Sequence, residues 1–481
     1  MPYSEKTKRI LELFEQVSAI PRCSGNLDKV LAFLQDWAKD KGFPCKQDEA
    51  KNLLIEVPAS PGYENAPTVV MQGHTDMVCQ KTKTSSHDFS KDPIQFVYDG
   101  EWLKAKETSL GADNGIAIAI CMALVEDETI QHPPLELLFT SDEETGLVGA
   151  NALTPDFFKG NTLINLDSED EGYLTVGCAG GMATEMNIPW NVQPVAGDWQ
   201  CFQLTAGGMR GGHSGVDIHL GKPNALKVLA RSLFYLSQDM DLRLAGITGG
   251  SAHNAIPRDA ESLIWLPADK AAAAKKKMAE ITGIFKNEFG KNDPDILITL
   301  EPVDQEAKAL SPADSRRIID LLLVIPHGVF AMSMDIDNLV ETSNNLAIAK
   351  LQGDSLYILT SQRSSVVSRL YALSFRIESA CRLAGGSATS AFRYPPWQPN
   401  MDSLLLKKSV KLYKDLFQRD PVIDVIHAGL ECGIIGDKKP GMDMISIGPT
   451  IKYPHSPDEK LHLPTIDMVW QFLAALLPAI K

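Results

Sequence analysis

Apolar positions along the chain follow two rhythms, a 3.6-residue stripe and a short continuous run, and their alternation predicts layered α/β architecture. Ser4 is placed as the N-cap of a helix whose Ile10, Leu11, Phe14 and Val17 share one face. A second helix carries Val30, Leu31, Leu34, Trp37 and Ala38 along a stripe and stops at Gly42. Apolar runs at 52–57 and 68–72, separated by the Pro61-Gly62 turn, read as strands, and 80–107 reads as loop with short strands. The very apolar 116–125 is a buried helix, 135–139 the next strand, 147–159 holds a short helix, and 162–166 is another buried strand.

Around residues 178–186 the texture changes to longer strands, such as 199–204, and helices, such as 222–237 and 271–289, with glycine-rich connectors. The stretch 344–397 again gives two strands, a helix at 365–383 and a strand, which reads as an inserted α+β domain of two similar halves. After a stiff Pro395-Pro396-Trp397-Gln398-Pro399 hinge, a helix at 403–417, a strand at 444–447 and a closing helix at 465–477 return to the first texture. The expected fold class is therefore α/β. A mainly parallel-sheet layered domain comprises residues 1–185 and 397–481, and an inserted α+β domain comprises 186–396.

Length agrees with more than one core, since 481 residues exceed what a single core ordinarily serves. A net charge of −15 argues against non-specific nucleic-acid binding and against anionic membranes. No apolar run approaches the ~20 residues that span a bilayer, and Met1-Pro2-Tyr3-Ser4-Glu5-Lys6 lacks the layout of a leader. Cys23, Cys45, Cys79, Cys121, Cys178, Cys201, Cys381 and Cys432 form no CxxC pair. That spacing predicts neither a disulfide framework nor a thiolate zinc site, and it suits a reduced, cytoplasmic protein.

The candidate chemistry lies at strand ends. The run Val69-Val70-Met71-Gln72-Gly73-His74-Thr75-Asp76 delivers a histidine and an aspartate to one side of an extended backbone. His74, Asp113, Glu144, Asp167 and His455 together offer two imidazoles and three carboxylates, a set suited to a pair of zinc- or manganese-like ions with one carboxylate bridging. Asp76 is placed to orient the His74 ring. Glu143, whose side chain diverges from that of Glu144, is the natural general base. Taken singly, Asp113 also reads as a helix N-cap, Asp167 as a turn aspartate, and Asp142-Glu143-Glu144 as an exposed acidic turn.

These residues match a family. Gly73-His74-Thr75-Asp76, Gly111-Ala112-Asp113, Ser141-Asp142-Glu143-Glu144-Thr145-Gly146, Asn165-Leu166-Asp167 and His455 resemble the five-ligand pattern of the co-catalytic zinc peptidases, which include aminoacylases, carboxypeptidases and dipeptidases. The resemblance covers essentially the whole chain. It is closer still to the bacterial aminoacyl-histidine dipeptidases, the cytosolic non-specific branch called peptidase D, through His213-Ser214-Gly215-Val216-Asp217-Ile218, Gly250-Ser251-Ala252-His253-Asn254-Ala255-Ile256-Pro257, Tyr394-Pro395-Pro396-Trp397 and His427-Ala428-Gly429-Leu430-Glu431-Cys432-Gly433. Asn114 replaces the acidic residue that usually follows the bridging aspartate in the wider superfamily, which points to the dipeptidase branch rather than the deacylases.

The resemblance implies two Zn2+ per chain, with Mn2+ or Co2+ able to substitute. His74 and Asp167 would hold one ion, Glu144 and His455 the other, Asp113 would bridge, and Glu143 would be the base. The inserted domain becomes a lid whose His213 reaches the scissile carbonyl oxygen, and whose Asn254 and Arg363 take the free carboxylate of a dipeptide. Two halves in the lid favour His213 acting within its own chain. The expected activity is hydrolysis of dipeptides, Xaa-His (carnosine-like) ones included, by a homodimer with no nucleic-acid or membrane partner. The rival readings are an N-acyl-amino-acid deacylase on the same metal centre and an inactive metal-dependent peptide-binding protein. His427 and Glu431 read either as pocket lining or as hydrogen-bonded core groups.

Overall fold

The computed structural model describes residues 4–334 and 336–481. Met1-Pro2-Tyr3, half of the stretch inspected for a leader, lies outside them. The chain divides into two compact units, one made of Met1–Cys178, Trp397–Val425 and Leu430–Lys481, the other of Ala179–Pro396 and Ile426–Gly429.

An eight-stranded sheet frames the first unit. Four central strands, Leu135–Thr140, Val69–His74, Thr162–Asn165 and Asp443–Ser446, run parallel in that spatial order. Leu53–Val57 and then Cys45–Gln47 add antiparallel on one side, and Tyr173–Cys178 adds antiparallel on the other. The sheet is thus parallel at its centre and antiparallel towards its margins. All six residues of Val69–His74 are buried, as a central parallel strand requires. The helix Ala112–Glu126 is apolar on nearly every face and buried along its length. It presses onto the end of the His74 strand at Gly73, where a Cβ would stand 2.3 Å from Asn114 Oδ1 and 2.9 Å from Ala117 Cβ. The first helix, Glu5–Ser18, starts where the pattern put it, with Ser4 Oγ accepting the Thr7 N–H at 3.1 Å.

A smaller antiparallel sheet in the same unit joins Ile451–Lys452, Lys460–His462, Trp102–Ala105 and Phe96–Asp99. Its first two strands form a hairpin whose loop, 453–459, carries His455.

The second unit holds a nine-stranded sheet with antiparallel pairing. Two halves repeat one order. From one edge inward run Leu297–Pro302, Trp199–Gly207, Ala260–Pro267 and Arg243–Gly249, and from the other run Ser387–Tyr394, Gly180–Pro189, Ser355–Ser364 and Val340–Gln352. In each half the edge strand comes last in the chain, its neighbour first, then the third and the second. A helix precedes the second strand (Ala225–Asp239, Pro312–Val324) and another the fourth (Ala271–Phe289, Val367–Leu383). The halves join where the two second strands pair, Thr248 with Lys350 and Gly249 with Ala349. One core runs under both, with Leu229, Phe285, Ile318 and Ile377 of the four helices packed on Phe202, Ile264 and Ile358 of the sheet.

Helix starts differ from expectation where caps decide them. Asn224 accepts from the Leu226 and Lys227 amides, so the helix expected from residue 222 begins at Ala225. The cysteine reading needs a correction. Cys23 and Cys79 form a disulfide, with Cα atoms 5.7 Å apart, while the other six are free. The two are 56 residues apart in sequence. A backbone bridge between Cys23 and Met77 helps bring their segments together.

Candidate metal centre

His74 stands at the end of its strand with 1% of its surface exposed, and Asp76, two residues on, has 0%. His74 Nδ1 lies 3.2 Å from Asp76 Oδ1, so Asp76 accepts from Nδ1–H and Nε2 is the nitrogen turned to the remaining carboxylates. Nε2 faces Asp113 Oδ1 at 3.0 Å and Asp167 Oδ1 at 3.4 Å. The Asp76 carboxylate has further work. It accepts the Glu143 N–H at 3.0 Å, the Glu144 N–H at 3.2 Å and the Ser24 hydroxyl at 2.7 Å. One aspartate therefore holds both the histidine and the turn that carries the two glutamates. That turn opens on Asp142 in the left-handed region (φ +48°), whose own carboxylate accepts the Gly25 N–H at 2.6 Å.

Asp113 leads the buried helix, after Gly111 in the left-handed region (φ +69°). A Cβ at Gly111 would meet Arg22 Nη2 at 2.6 Å and Met77 Sδ at 2.7 Å. A cis peptide joins Asp113 to Asn114, and the Asn114 side chain accepts the His74 N–H at 3.1 Å and donates to Leu166 O at 2.9 Å. His455, also left-handed (φ +59°), brings Nε2 to 3.0 Å from both Asp113 Oδ2 and Glu144 Oε2.

The structure thus brings all five predicted ligand positions together as two sets that share Asp113. One set is His74, Asp113 and Asp167 and the other Asp113, Glu144 and His455; a third group, without Asp113, joins Glu143 to His74 and Glu144, and the donor atoms in each lie within 4.8 Å of one another. Burial raises the Glu143 carboxyl well above its ordinary range, helped by the Asp167, Glu431 and Glu144 carboxylates and opposed by His74. Burial likewise raises Glu144 and Asp167. Asp113 goes the other way, because its bonds to His455 and His74 outweigh burial. Donating to Asp113 and Glu144 pushes His455 up to about 11. So much carboxylate in so little water calls for cations. The donor set fits a divalent ion: imidazole nitrogens and carboxylate oxygens converge, and Glu144 Oε1 is buried with no hydrogen-bond partner.

Sequence reasoning missed several residues that brace this cluster. The buried Arg22 guanidinium donates to Thr75 O at 3.2 Å, to Asp76 O at 2.8 Å and to Gly111 O. Ser24 holds Asp76, and Glu459 receives the Leu110–Asp113 amides. Ser24 and Arg22 sit in an ordinary loop with no pattern to mark them. Glu459 is four residues after His455, the single local hint. Glu431, left open between pocket and core, is fully buried and accepts from Gln72 Nε2 at 2.5 Å and Thr140 Oγ1 at 2.7 Å.

The predicted substrate residues gather within the second unit. His213 lies on a two-stranded ribbon and Asn254 in the turn just before its second strand, where His213 pairs with Ala255 and Ser214 N–H donates to Asn254 O at 2.8 Å. His213 Nδ1 accepts the Gly215 and Val216 amides, each at 3.2 Å, so the neutral ring carries its proton on Nε2. Burial and then the Arg363 charge lower its pKa. A Cβ at Gly215 would be 3.1 Å from both Arg363 Cζ and His213 Cε1, which puts both side chains against that glycine. Arg363 is buried and donates to Tyr394 OH at 2.8 Å. His427 packs into the same region, with Nε2 2.7 Å from Ser343 Oγ.

Residues 204–293 match the family model described as a peptidase dimerisation domain, M20_dimer. The cytosol non-specific dipeptidase of Escherichia coli K12 is 39% identical over 98% of this chain and 97% of its own. The crystal structure of the aminoacylhistidine dipeptidase of Vibrio alginolyticus superposes with a TM-score of 0.91 at 39% identity, covering 100% of this chain and 99% of that one. A Bacillus cereus aminopeptidase shares the fold at 13% identity and a TM-score of 0.58. The chain belongs to the M20 metallopeptidases. Within them it falls with the cytosol non-specific dipeptidases, as the resemblance of its motifs implied. Among the described residues no helix is long and apolar enough to cross a membrane.

Proposed function

We propose that the protein hydrolyses dipeptides, Xaa-His substrates among them, with two zinc ions held by His74 and Asp167 on one side, Glu144 and His455 on the other, and Asp113 between. The observation that carries this reading is the pair of donor sets that share Asp113 and together use all five ligand positions, with Glu143 beside them, grouped with His74 and Glu144. Zinc bound there supplies Lewis acidity, polarising a carbonyl and lowering the pKa of water; Mn2+ or Co2+ suits the same donors.

The side chains do the rest. Asp76 keeps the His74 proton on Nδ1. Glu143 takes a proton from the attacking water on its carboxylate and passes it to the leaving amine nitrogen, a role suited to a carboxyl whose proton affinity burial has raised. His213, with Nδ1 engaged by backbone amides, offers its Nε2–H to the oxyanion. Arg363 and Asn254 take the substrate carboxylate, for which the guanidinium fork is shaped. The second unit thereby acts as a lid. Dipeptide specificity is supported by the names of the E. coli and Vibrio relatives, and a homodimer by the dimerisation-domain match. The E. coli relative's name supports a cytosolic location.

The test is Glu143→Ala assayed on carnosine-like dipeptides and on N-acetyl amino acids, with zinc content measured alongside. General acid–base catalysis contributes about 10²–10⁴-fold, so kcat should fall by that much while the protein retains its zinc. Undiminished turnover in the variant removes Glu143 from the mechanism, and wild-type preference for N-acetyl amino acids replaces the dipeptidase with a deacylase.

A further inference from the structure

The loop that carries His455 ends in a second acidic residue whose partners are all backbone. Glu459 is 2% exposed. Its Oε2 accepts the Leu110 and Gly111 amides at 2.7 and 2.9 Å, and its Oε1 accepts the Ala112 and Asp113 amides at 2.8 and 3.3 Å. Four successive N–H groups thus converge on one carboxylate, an anion nest made possible by the left-handed turn at Gly111. Near the start of the same loop, His455 Nε2 reaches Asp113 Oδ2 at 3.0 Å. One seven-residue hairpin loop, 453–459, therefore grips Asp113 at both its backbone and its side chain. From the opposite side Arg22 donates to Gly111 O and to the carbonyls of Thr75 and Asp76. The 110–113 segment is held between the hairpin loop and the His74 strand end.

We propose that Glu459 is a positioning residue for the bridging carboxylate: it fixes the 110–113 backbone so that Asp113 faces His74 and His455 before any ion arrives. The proposal rests on the two-zinc reading above and adds that the bridge is pre-set by the protein rather than shaped by the metal. Outer partners of metal ligands typically govern affinity by 10–100-fold. A plain structural cap would contribute stability and leave affinity alone.

The experiment follows metal-free wild type and Glu459→Gln by hydrogen exchange, then titrates zinc against a chromophoric chelator. In wild type without metal, the amides of Leu110 to Asp113 should already be protected. In the variant, glutamine offers one accepting oxygen, so these amides should exchange at least about tenfold faster. Zinc affinity should fall about 10–100-fold. Ser4→Ala, which removes a remote helix cap, serves as the control and should lower the melting temperature without moving zinc affinity. Free exchange of these amides in metal-free wild type overturns the proposal, even if the variant does not fold. So does zinc affinity in Glu459→Gln within twofold of wild type. A wild-type protein that takes up no zinc would instead sink the two-zinc reading, and the exchange result would stand apart from it.

Discussion

The two units bury polar groups to different ends. The first packs carboxyls against one another at a strand-end cluster, with Glu143, Glu144, Asp167 and Glu431 all raised by burial and then by neighbouring carboxylates, Asp113 among them. The second buries a chain of neutral groups. Gln362 donates to Asn344 Oδ1 at 2.8 Å and to Thr360 Oγ1 at 2.6 Å and accepts from Thr184 at 3.0 Å, and Asn344 donates onward to Pro326 O. Its buried imidazoles are kept uncharged, His327 and His427 each pushed down to about 3, chiefly by burial. Like charges in low dielectric are costly unless a counter-ion joins them, whereas neutral networks satisfied by their own members stiffen a scaffold. The contrast separates a carboxylate cluster suited to cations from a neutral network whose members satisfy one another.

The comparison can be broken in three places. The largest effect is expected for Glu431→Gln in metal-free protein. Burial raises this carboxyl to about 7, so the folded state keeps a proton that the unfolded chain releases near 4.5. Wild-type stability should therefore fall as pH rises from about 4.5 to 7 and stay lowered above that. The variant, neutral throughout, escapes the loss and should be roughly 3 kcal/mol more stable than wild type at pH 8, with no advantage at pH 4.5. Parallel stability curves against pH would refute it.

Next comes Arg363→Ala, which removes a buried charged donor from the second unit. Its effect should fall on KM, raised about 10–100-fold as for a lost charge-assisted hydrogen bond, with zinc content unchanged. A fall in zinc content would instead tie Arg363 to the metal centre. The smallest effect is His327→Asn. The folded imidazole stays neutral down to about 3, while the unfolded one protonates near 6.5, so wild type should lose about 1 kcal/mol between pH 6.5 and 5.5. Asparagine can keep the 3.3 Å contact to Asn224 and should flatten that acid limb, whatever it costs in packing. An unchanged slope would show that His327 is not the group responsible.

Much of the site was legible because its members sit where local pattern is strongest. His74 and Asp167 follow continuous apolar runs, and Asp113 precedes a helix apolar on nearly all sides, so each can be located from neighbours in sequence. The first helix was equally legible, because Ser4 marks its start. The bracing residues were not. Arg22 and Glu459 act on backbone atoms, and a backbone amide or carbonyl carries no residue type for a pattern to detect. The antiparallel margins of the first sheet were hidden for a related reason: a short buried strand has the same composition whichever way its neighbour runs.

The chain's order of residues determined which groups would be available: two imidazoles and a surplus of carboxylates at turns, a free glutamate beside one of them, and an insertion built of two alike halves. Tertiary structure decided the company they keep. It made Asp113 common to both donor sets, gave Asp76 a histidine and a turn to hold at once, and joined Cys23 to Cys79 across 56 residues. The physical reason is range. Periodicity and capping act over a few residues, whereas contacts between distant segments exist only once burial has chosen which surfaces meet.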